Sequence, residues 1–314
     1  MKALVIGCGS IGRRHINNLT GFKEVKKIFV YTRIRPCLDI LDNRTGKIEV
    51  VSDPLKVDTD FALICNETHK HIDSAVALAK KGINIFVEKP LAKSLEDALR
   101  LKRIIAKKKI TVAVGYNLRF LDAITLVKAM LAKGDIGKLY FARIEVGQYL
   151  PDWRKSIDYR NSYSAHRNRG GGVDLDLSHE IDYMRYFFGD PAEWEVAKGK
   201  VSSLKIDSDD VFEGMYRYKD NFICSVHMDY LQRKKKRLTR IVGSKGTILL
   251  DLAENKIILE RPAKTDLVIR QPRYFDLNKT YKDELKDFMA SVKSRRSPKV
   301  GIDDGIKALR LLKR

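Results

Sequence analysis

The first half of the chain alternates short apolar runs with segments of helical periodicity. The apolar runs predict strands near residues 2–6, 26–32, 61–65, 83–87 and 111–114. The segments between them predict helices near residues 10–20, 69–81 and 94–107. Strands that alternate with helices are typical of a parallel, doubly wound sheet, so this half predicts an α/β fold of the Rossmann type.

In the second part of the chain, apolar residues recur at every second position. Between residues 139 and 149, Ala142 and Ile144 share one face of a predicted strand, while Arg143 and Glu145 share the other. Further strands are predicted near residues 193–203, 208–218, 222–230, 237–243, 246–251, 256–260 and 266–271, with helices near 122–133, 278–293 and 302–313. This alternation predicts an open, mostly antiparallel sheet with helices on one face.

Together these patterns predict an α/β plus α+β chain of two domains. Residues 1–119 form the predicted Rossmann dinucleotide-binding domain, and residues 120–314 form the predicted substrate-binding and oligomerisation domain. Whether the C-terminal helix packs back on the first domain is left open. A length of 314 residues exceeds what one hydrophobic core usually serves, which agrees with two domains.

Composition narrows the class of protein. With 44% hydrophobic residues and no apolar run near the roughly 20 residues of a membrane span, we expect a globular protein without a membrane partner. The net charge of +21 indicates either solvated surface charge, which we favour, or a polyanion-binding face. The basic runs contain no interleaved aromatic residues, so we expect no nucleic-acid partner. Four cysteines stand far apart without a CxxC motif, which favours reduced thiols and a cytoplasmic location.

The segment Gly7-Cys8-Gly9-Ser10-Ile11-Gly12 has the spacing GxGxxG directly after the first predicted strand. Glycines alone are weak evidence, but here a strand precedes them, a helix follows and a second strand comes about 20 residues on. The first glycine permits the turn, the second lets the backbone approach a pyrophosphate, and the third lets the helix pack on the strand. We therefore predict a dinucleotide cofactor.

The end of the second predicted strand bears on which dinucleotide binds. An acidic side chain there would bind the ribose 2′-hydroxyl of NAD. The chain instead has Tyr31-Thr32-Arg33, with Arg35 beyond and Asp39 as the first acid. Because a guanidinium makes charge-assisted contacts to a phosphate, we predict NADP(H). The alternative is NAD(H), with Arg33 stacked on the adenine.

Candidate catalytic groups stand at two places. Lys89 follows the fourth predicted strand, and doubly wound sheets bind ligands at the carboxyl ends of their strands. After a glycine triplet, the pattern predicts one helix to about residue 188, on which Asp176, His179 and Tyr183 share a face. A carboxylate one turn from an imidazole orients it and stabilises its protonated form, as redox proton transfer needs. The alternatives are a solvated lysine and a helix-surface ion pair.

These motifs resemble the glucose–fructose oxidoreductase, inositol dehydrogenase and rhizopine-catabolism family (Gfo/Idh/MocA) over nearly the whole chain. The matching segments are Gly7 to Gly12, Glu88-Lys89-Pro90, Gly115 to Phe120, the glycines 170–172 with Asp176 and His179, and Gly243 to Thr247. The resemblance implies a Rossmann domain followed by an open sheet that commonly forms homodimer or homotetramer contacts. It also implies that Lys89 lies near the substrate hydroxyl and that Asp176 and His179 form a pair.

Two departures from the family pattern bear on the site. Asp176 and His179 are three residues apart where members often have four, so which acid assists His179 is open. Asn66-Glu67 stands where many relatives have Thr-Pro, which bears on contacts near the nicotinamide. The predicted catalytic residues are Lys89, His179 and Asp176. The predicted cofactor-binding residues are Gly7, Gly9, Ser10, Ile11, Gly12, Thr32, Arg33, Asn66, Thr68, His71, Glu88 and Asn117.

The segment before the glycine triplet carries most candidate substrate contacts, since aromatic rings pack on sugars and arginines hold carboxylates or phosphates. The predicted substrate-binding residues are Arg119, Trp153, Arg154, Tyr159, Arg160 and Tyr163. The motifs around Trp153, Asp158 and Asp176 resemble a branch associated with surface-polysaccharide and nonulosonic-acid synthesis. That resemblance implies an acidic sugar or nucleotide sugar. The alternative is a basic loop that binds no ligand.

We therefore predict an NAD(P)-dependent oxidoreductase that transfers a hydride between nicotinamide and a hydroxyl or carbonyl carbon of a sugar, acidic sugar or nucleotide sugar. The alternative is a non-catalytic sensor or assembly protein on the same fold, against which the joint presence of Lys89, Asp176 and His179 argues. No metal is expected, because the six histidines lack ligand spacing. His69 and His71 are interpreted as a surface pair at a helix start.

Overall fold

The computed structural model describes residues 1–33, 43–154 and 157–313. They form two compact units, of which the first joins Met1–Tyr116 with Tyr281–Lys307. The second joins Asn117–Thr280 with the residues from Ala308. The functions assigned above to residues 1–119 and 120–314 remain predictions.

Six parallel strands form the sheet of the first unit: β1 Lys2–Ile6, β2 Lys27–Tyr31, β3 Ile48–Val50, β4 Phe61–Ile64, β5 Asn84–Glu88 and β6 Val112–Gly115. Their order is β3-β2-β1-β4-β5-β6, so the winding reverses between β1 and β4. The predicted parallel sheet is confirmed. The three-residue strand β3 at the sheet edge has no counterpart in the prediction.

The helices are α1 Ser10–Thr20, α2 His71–Lys80, α3 Leu95–Ile105, α4 Asp122–Lys133, α5 Val173–Asp176, α6 His179–Phe188, α7 Leu277–Ser294 and α8 Ile302–Leu311. In the first unit, α7 contributes Leu285, Phe288 and Met289 to the apolar core. Phe288 meets the rings of Phe61 and Phe86 edge to face, with centroids 5.6 and 5.7 Å apart. Helix α7, which comes late in the sequence, thus completes the apolar core beside β4 and β5 of the first unit.

Eight strands form the sheet of the second unit: β7 Leu139–Gly147, β8 Glu193–Gly199, β9 Val211–Arg217, β10 Ile223–Asp229, β11 Lys236–Gly243, β12 Gly246–Asp251, β13 Lys256–Glu260 and β14 Leu267–Ile269. Their order is β14-β13-β12-β11-β7-β10-β9-β8. The β7–β10 pair is parallel and the other neighbouring pairs are antiparallel. The predicted, mostly antiparallel sheet is confirmed.

One predicted helix is wrong. Residues 173–188 form two helices, because Leu177 leaves the helical region (φ −104°, ψ 22°) between α5 and α6. The apolar residues at helical spacing along this segment are only partly buried: Ile181 and Met184 are fully buried, whereas Leu177 is half-buried. The acidic side chains of this segment each have a partner elsewhere in the unit, and these tertiary contacts override the local periodicity.

None of the helices in the described parts of the chain is long and apolar enough to cross a membrane. Cys8, Cys65 and Cys224 are buried. Cys37 lies outside the described residues.

Candidate functional site

The glycine motif forms the turn between β1 and α1. Gly7 has a φ of +99°, and a Cβ there would lie 2.6 Å from the amide nitrogen of Asn66. A Cβ on Gly12 would lie 2.1 Å from the Gly7 carbonyl oxygen. A Cβ on Gly9, by contrast, would meet no described atom within 4 Å. The first and third glycines are therefore required by close packing, and the second leaves space at the start of α1 that fits a dinucleotide pyrophosphate.

The predicted NADP-selecting residues follow the end of β2. The Gly7 amide donates a hydrogen bond of 2.9 Å to the Tyr31 carbonyl, which joins the glycine turn to the last residue of β2. Thr32 is half-buried, and Arg33 is an exposed cation just beyond it. Arg35 and Asp39, the other residues of this prediction, lie outside the described residues.

The segment after β4 holds three predicted cofactor residues. Asn66 donates its side-chain amide to Ser74 Oγ at 3.1 Å, and Thr68 is buried. His71 is 2% exposed, with Nδ1 2.9 Å from the Pro90 carbonyl oxygen and Nε2 3.0 Å from that of Asn66. The interpretation of His71 as a surface residue is wrong, because its ring lies between these two main-chain carbonyls. Burial lowers the pKa of His71, and the two carbonyls oppose that shift.

The predicted catalytic lysine directly follows a buried acid. Glu88 ends β5 and is 7% exposed, and Lys89 is half-buried. His15 Nε2 from α1 lies 2.5 Å from Glu88 Oε1, with the imidazole fully buried. Glu88 Oε2 accepts a hydrogen bond of 3.3 Å from the Lys89 main-chain amide. Glu88 thus has protein partners on both oxygens, and its contact to the cofactor stays a prediction.

In the second unit, Asn117 and Arg119 are buried among protein partners. Arg119 donates two hydrogen bonds to Asp182, at 2.8 and 2.7 Å. Asn117 donates to Thr280 Oγ1 at 2.7 Å. Both side chains therefore stabilise the second unit, while their roles toward substrate and cofactor stay predictions.

The segment from α5 to α6 carries four buried carboxylates, each held by another part of the second unit. The pairs are Asp174 with Lys198, Asp176 with Tyr230, Glu180 with Arg237, and Asp182 with Arg119. Removing a carboxylate from water is costly unless such a partner compensates it. Three of these pairs join opposite charges, whereas the Tyr230 hydroxyl donates to Asp176 Oδ2 at 2.6 Å.

Of the three residues predicted to share one helix face, Asp176 lies on a different helix from His179 and Tyr183. Asp176 is the last residue of α5, and His179 is the half-buried first residue of α6. Tyr183 is 1% exposed, and its hydroxyl lies 3.1 Å from Thr239 Oγ1. Tyr183 therefore belongs to the core of the unit. The single face predicted for all three residues is wrong because Asp176 lies on α5, whereas His179 and Tyr183 are four residues apart on α6.

A small cleft marks the predicted substrate segment. It is lined by Leu150, Trp153, Arg154, Ile157, Tyr159, Ser162 and Ser164. The Trp153 ring meets the Tyr230 ring edge to face at 5.2 Å, next to the Asp176 carboxylate that Tyr230 binds. The Arg154 guanidinium lies 5.5 Å above the ring of Tyr163. Three of the predicted substrate residues, Trp153, Arg154 and Tyr159, thus line one concave surface.

The other two predicted substrate residues of this segment, Arg160 and Tyr163, are not among the residues that line the cleft. The Arg160 guanidinium donates to both Asp158 oxygens, at 3.0 and 2.8 Å, and this pairing lowers the pKa of Asp158. Burial, followed by the charge of Asp176, raises the pKa of Tyr163 well above its usual value, so its hydroxyl stays protonated.

Sequence reasoning missed His15 and Tyr230. His15 meets Glu88 across 73 positions of the chain, and no local spacing signals such a contact. Tyr230 continues the alternation of Val226 and Met228 on the covered face of β10, and that pattern could have indicated an inward-pointing hydroxyl.

Two family models match the chain. The model of the oxidoreductase family with an NAD-binding Rossmann fold, GFO_IDH_MocA, matches residues 1–116, and the GFO/IDH/MocA C-terminal domain matches residues 124–249. The chain belongs to the GFO/IDH/MocA oxidoreductase family. This confirms the resemblance drawn from the motifs and the prediction of an NAD(P)-dependent oxidoreductase.

The relatives of this GFO/IDH/MocA oxidoreductase include enzymes of polyol and sugar chemistry. The myo-inositol 2-dehydrogenase of Thermotoga maritima is 28% identical, over 99% of this chain and 94% of that protein. The 1,5-anhydro-D-fructose reductase of Ensifer adhaerens is 26% identical, over 84% and 78%. A levoglucosan dehydrogenase in complex with NADH and levoglucosan shares the fold, with a TM-score of 0.85 and 20% identity over 98% and 94% of the chains. The non-catalytic alternative is therefore not retained.

We predict that Gly9→Ala and Gly12→Ala fail in different ways. G9A has room for its methyl group, so its Tm should stay within about 2 °C of the unsubstituted protein. The same methyl group would obstruct a pyrophosphate, so the cofactor Kd should rise at least about tenfold. G12A forces the turn apart and should cost about 2 kcal/mol or more of unfolding free energy. Thermal unfolding and fluorescence titration with NADH and NADPH measure both, and a G9A protein with unaltered cofactor affinity would contradict the assignment.

Proposed function

We propose that this oxidoreductase oxidises a secondary hydroxyl of a sugar or cyclitol, or reduces the corresponding carbonyl. The observation that carries the proposal is the position of Lys89, directly after β5 at the carboxyl edge of a doubly wound sheet. The names of the relatives, an inositol dehydrogenase and an anhydrofructose reductase, support this substrate class.

In the proposed mechanism, the glycine turn between β1 and α1 would hold the pyrophosphate of a nicotinamide dinucleotide, a cofactor that would supply hydride-transfer chemistry when bound. The Lys89 ammonium stabilises the negative charge that develops on the substrate oxygen. His179 takes or returns the hydroxyl proton, and Asp176 supports the imidazolium. The Tyr230 hydroxyl holds the Asp176 carboxylate in place for this task.

Within the sugar class, we propose an acidic sugar or a nucleotide sugar. Trp153 and Arg154 line one cleft, so an aromatic face for a sugar ring and a cation for a carboxylate or phosphate occur together. Arg119 and Arg160 are engaged by Asp182 and Asp158. Arg154 is therefore the arginine that we assign to the anionic group.

We propose NADP(H) as the preferred cofactor. Arg33 is exposed just after β2, where a 2′-phosphate would be bound, and Thr32 precedes it in place of an acid. NAD(H) is the alternative, supported by the NAD-binding description of the family.

We also propose a homodimer or homotetramer formed through the open face of the eight-stranded sheet. Phe141 and Met215 are 45% and 54% exposed, and Phe141 aligns with Val242 and Ile223 on the neighbouring strands. Apolar side chains grouped on an exposed face are typical of an interface.

The scattered cysteines and the metabolic roles of the relatives support a cytoplasmic location.

We predict that Lys89→Ala lowers kcat at least about a hundredfold, because charge on the substrate oxygen loses its stabilising ammonium. Cofactor affinity should change little. Lys93→Ala, which removes an exposed lysine of the same loop, is the matched control and should keep full turnover. Steady-state kinetics over a panel of cyclitols, sugars, sugar acids and nucleotide sugars measure the effect, and equal turnover of K89A and unsubstituted protein would remove the proposed role.

We predict that Arg33→Ala lowers the ratio of kcat/KM for NADP to that for NAD by about tenfold, because a charge-assisted phosphate contact is lost. Lys27→Ala, at the opposite end of β2, should leave the ratio unaltered. Steady-state kinetics with NADP and with NAD, each at saturating substrate, measure this ratio. An equal ratio in R33A and the unsubstituted protein would show that Arg33 does not determine the cofactor preference.

A further inference from the structure

The Glu88-Lys89-Pro90 segment is anchored on both sides of its lysine by a buried histidine. On one side, His15 Nε2 lies 2.5 Å from Glu88 Oε1. On the other side, His71 Nδ1 lies 2.9 Å from the Pro90 carbonyl oxygen. The two histidines are 0% and 2% exposed and come from α1 and the start of α2. Two helices of the first unit therefore fix the main chain on either side of the proposed catalytic ammonium.

Glu88 has little freedom to leave its place. A Cβ on Gly115 of the neighbouring strand would lie 3.1 Å from Glu88 Oε2 and 3.2 Å from Oε1, so the carboxylate packs against that glycine. Its Oε2 also accepts the Lys89 amide. A buried carboxylate without a compensating partner is strongly destabilising, so the His15 contact stabilises Glu88 at this position.

Glu284 of α7 lies beside this pair with a different role. Its two oxygens have no hydrogen-bond partner among the described residues. Burial, and then the charge of Glu88, raise the pKa of Glu284 well above its usual value. Side-chain atoms of His15, Glu88 and Glu284 lie within 4.8 Å of one another, as in a metal site. The 2.5 Å between His15 and Glu88 is nevertheless a hydrogen-bond distance, shorter than the roughly 3 Å between ligand atoms of one cation.

We propose that His15, Glu88 and His71 are positioning residues for Lys89, an inference that rests on the proposed dehydrogenase function. They act through the main chain of the segment, and for Glu88 and His71 this role replaces the predicted contact with the cofactor. Because a displacement of about 1 Å costs on the order of a hundredfold in rate, loss of an anchor lowers turnover while cofactor affinity is kept.

His71 offers the sharpest test, because asparagine keeps a donor near the position of Nδ1 and leucine removes it. We expect His71→Leu to lower kcat by about thirtyfold, with the cofactor Kd within about twofold, and His71→Asn to recover most of the loss. His69→Leu is the matched control at the same helix start and should keep full kcat. Glu284→Gln, which keeps the size of the side chain and leaves the contact between Glu88 and His15 in place, should do the same.

A second readout on the same proteins does not depend on turnover. The rate at which acetic anhydride modifies the Lys89 amine, followed by mass spectrometry, reports the surroundings of that amine. We expect this rate to differ by about threefold or more between H71L and the unsubstituted protein, and to return in H71N. If the unsubstituted protein turns over no compound of the panel, the proposed function fails, while the labelling pattern still decides whether His71 positions Lys89.

Three outcomes would overturn the inference. One is unaltered kcat and unaltered labelling in H71L. Another is weaker cofactor binding in H71L with kcat retained, which would indicate direct contact with the cofactor. The third is zinc or manganese bound stoichiometrically to the purified protein and lost in E284Q. If H71L does not fold by circular dichroism, Glu88→Gln supplies the same comparison, since it keeps the size of the side chain and weakens the contact to His15.

Discussion

A buried carboxylate at the end of β5 is the constraint on which the functional edge of the first unit depends. Glu88 is 7% exposed, and such a charge is stable in an apolar sheet only beside a compensating partner. His15 supplies that partner, Gly115 supplies the space, and burial together with the charge of Glu88 raises the pKa of the neighbouring Glu284. Since Glu88 precedes Lys89 directly, whatever satisfies the carboxylate also fixes the main chain that carries the ammonium.

The buried acids of α5 and α6 in the second unit also have partners, but the partner of Asp176 differs in kind from the other three. Asp174, Glu180 and Asp182 are each bound by a lysine or arginine, whereas Asp176 receives the hydroxyl of Tyr230. The proposed role of Asp176 toward the imidazole of His179 uses this contact, because the Tyr230 hydroxyl orients the carboxylate.

The features of this chain that were predictable from its sequence depend on residue patterns only a few positions long. The glycine turn, the strand that leads to Lys89 and the alternation along β10 all depend on spacing that a single strand or turn imposes. The parallel and antiparallel sheets followed from those signals. The substrate segment was predictable as a cluster of residue types, and three of its members do line one cleft.

What could not be predicted depends on contacts between distant parts of the chain. The burial of His71 follows from carbonyls at the ends of two strands, one of which lies 19 positions away. The break between α5 and α6, and the burial of Tyr183, follow from partners on other elements of the second unit, and helical periodicity does not encode them. Arg119 looked available for a substrate because Asp182, its partner, is 63 positions away.

As a member of its family, this chain moves hydride between a sugar-type substrate and a nicotinamide. The most direct measurement uses a cyclitol or sugar deuterated at the carbon that is oxidised, with mass spectrometry of the reduced cofactor. We expect reduced cofactor that carries the deuterium. Reduced cofactor without deuterium, or no reduction with any cyclitol, sugar, sugar acid or nucleotide sugar, would contradict it.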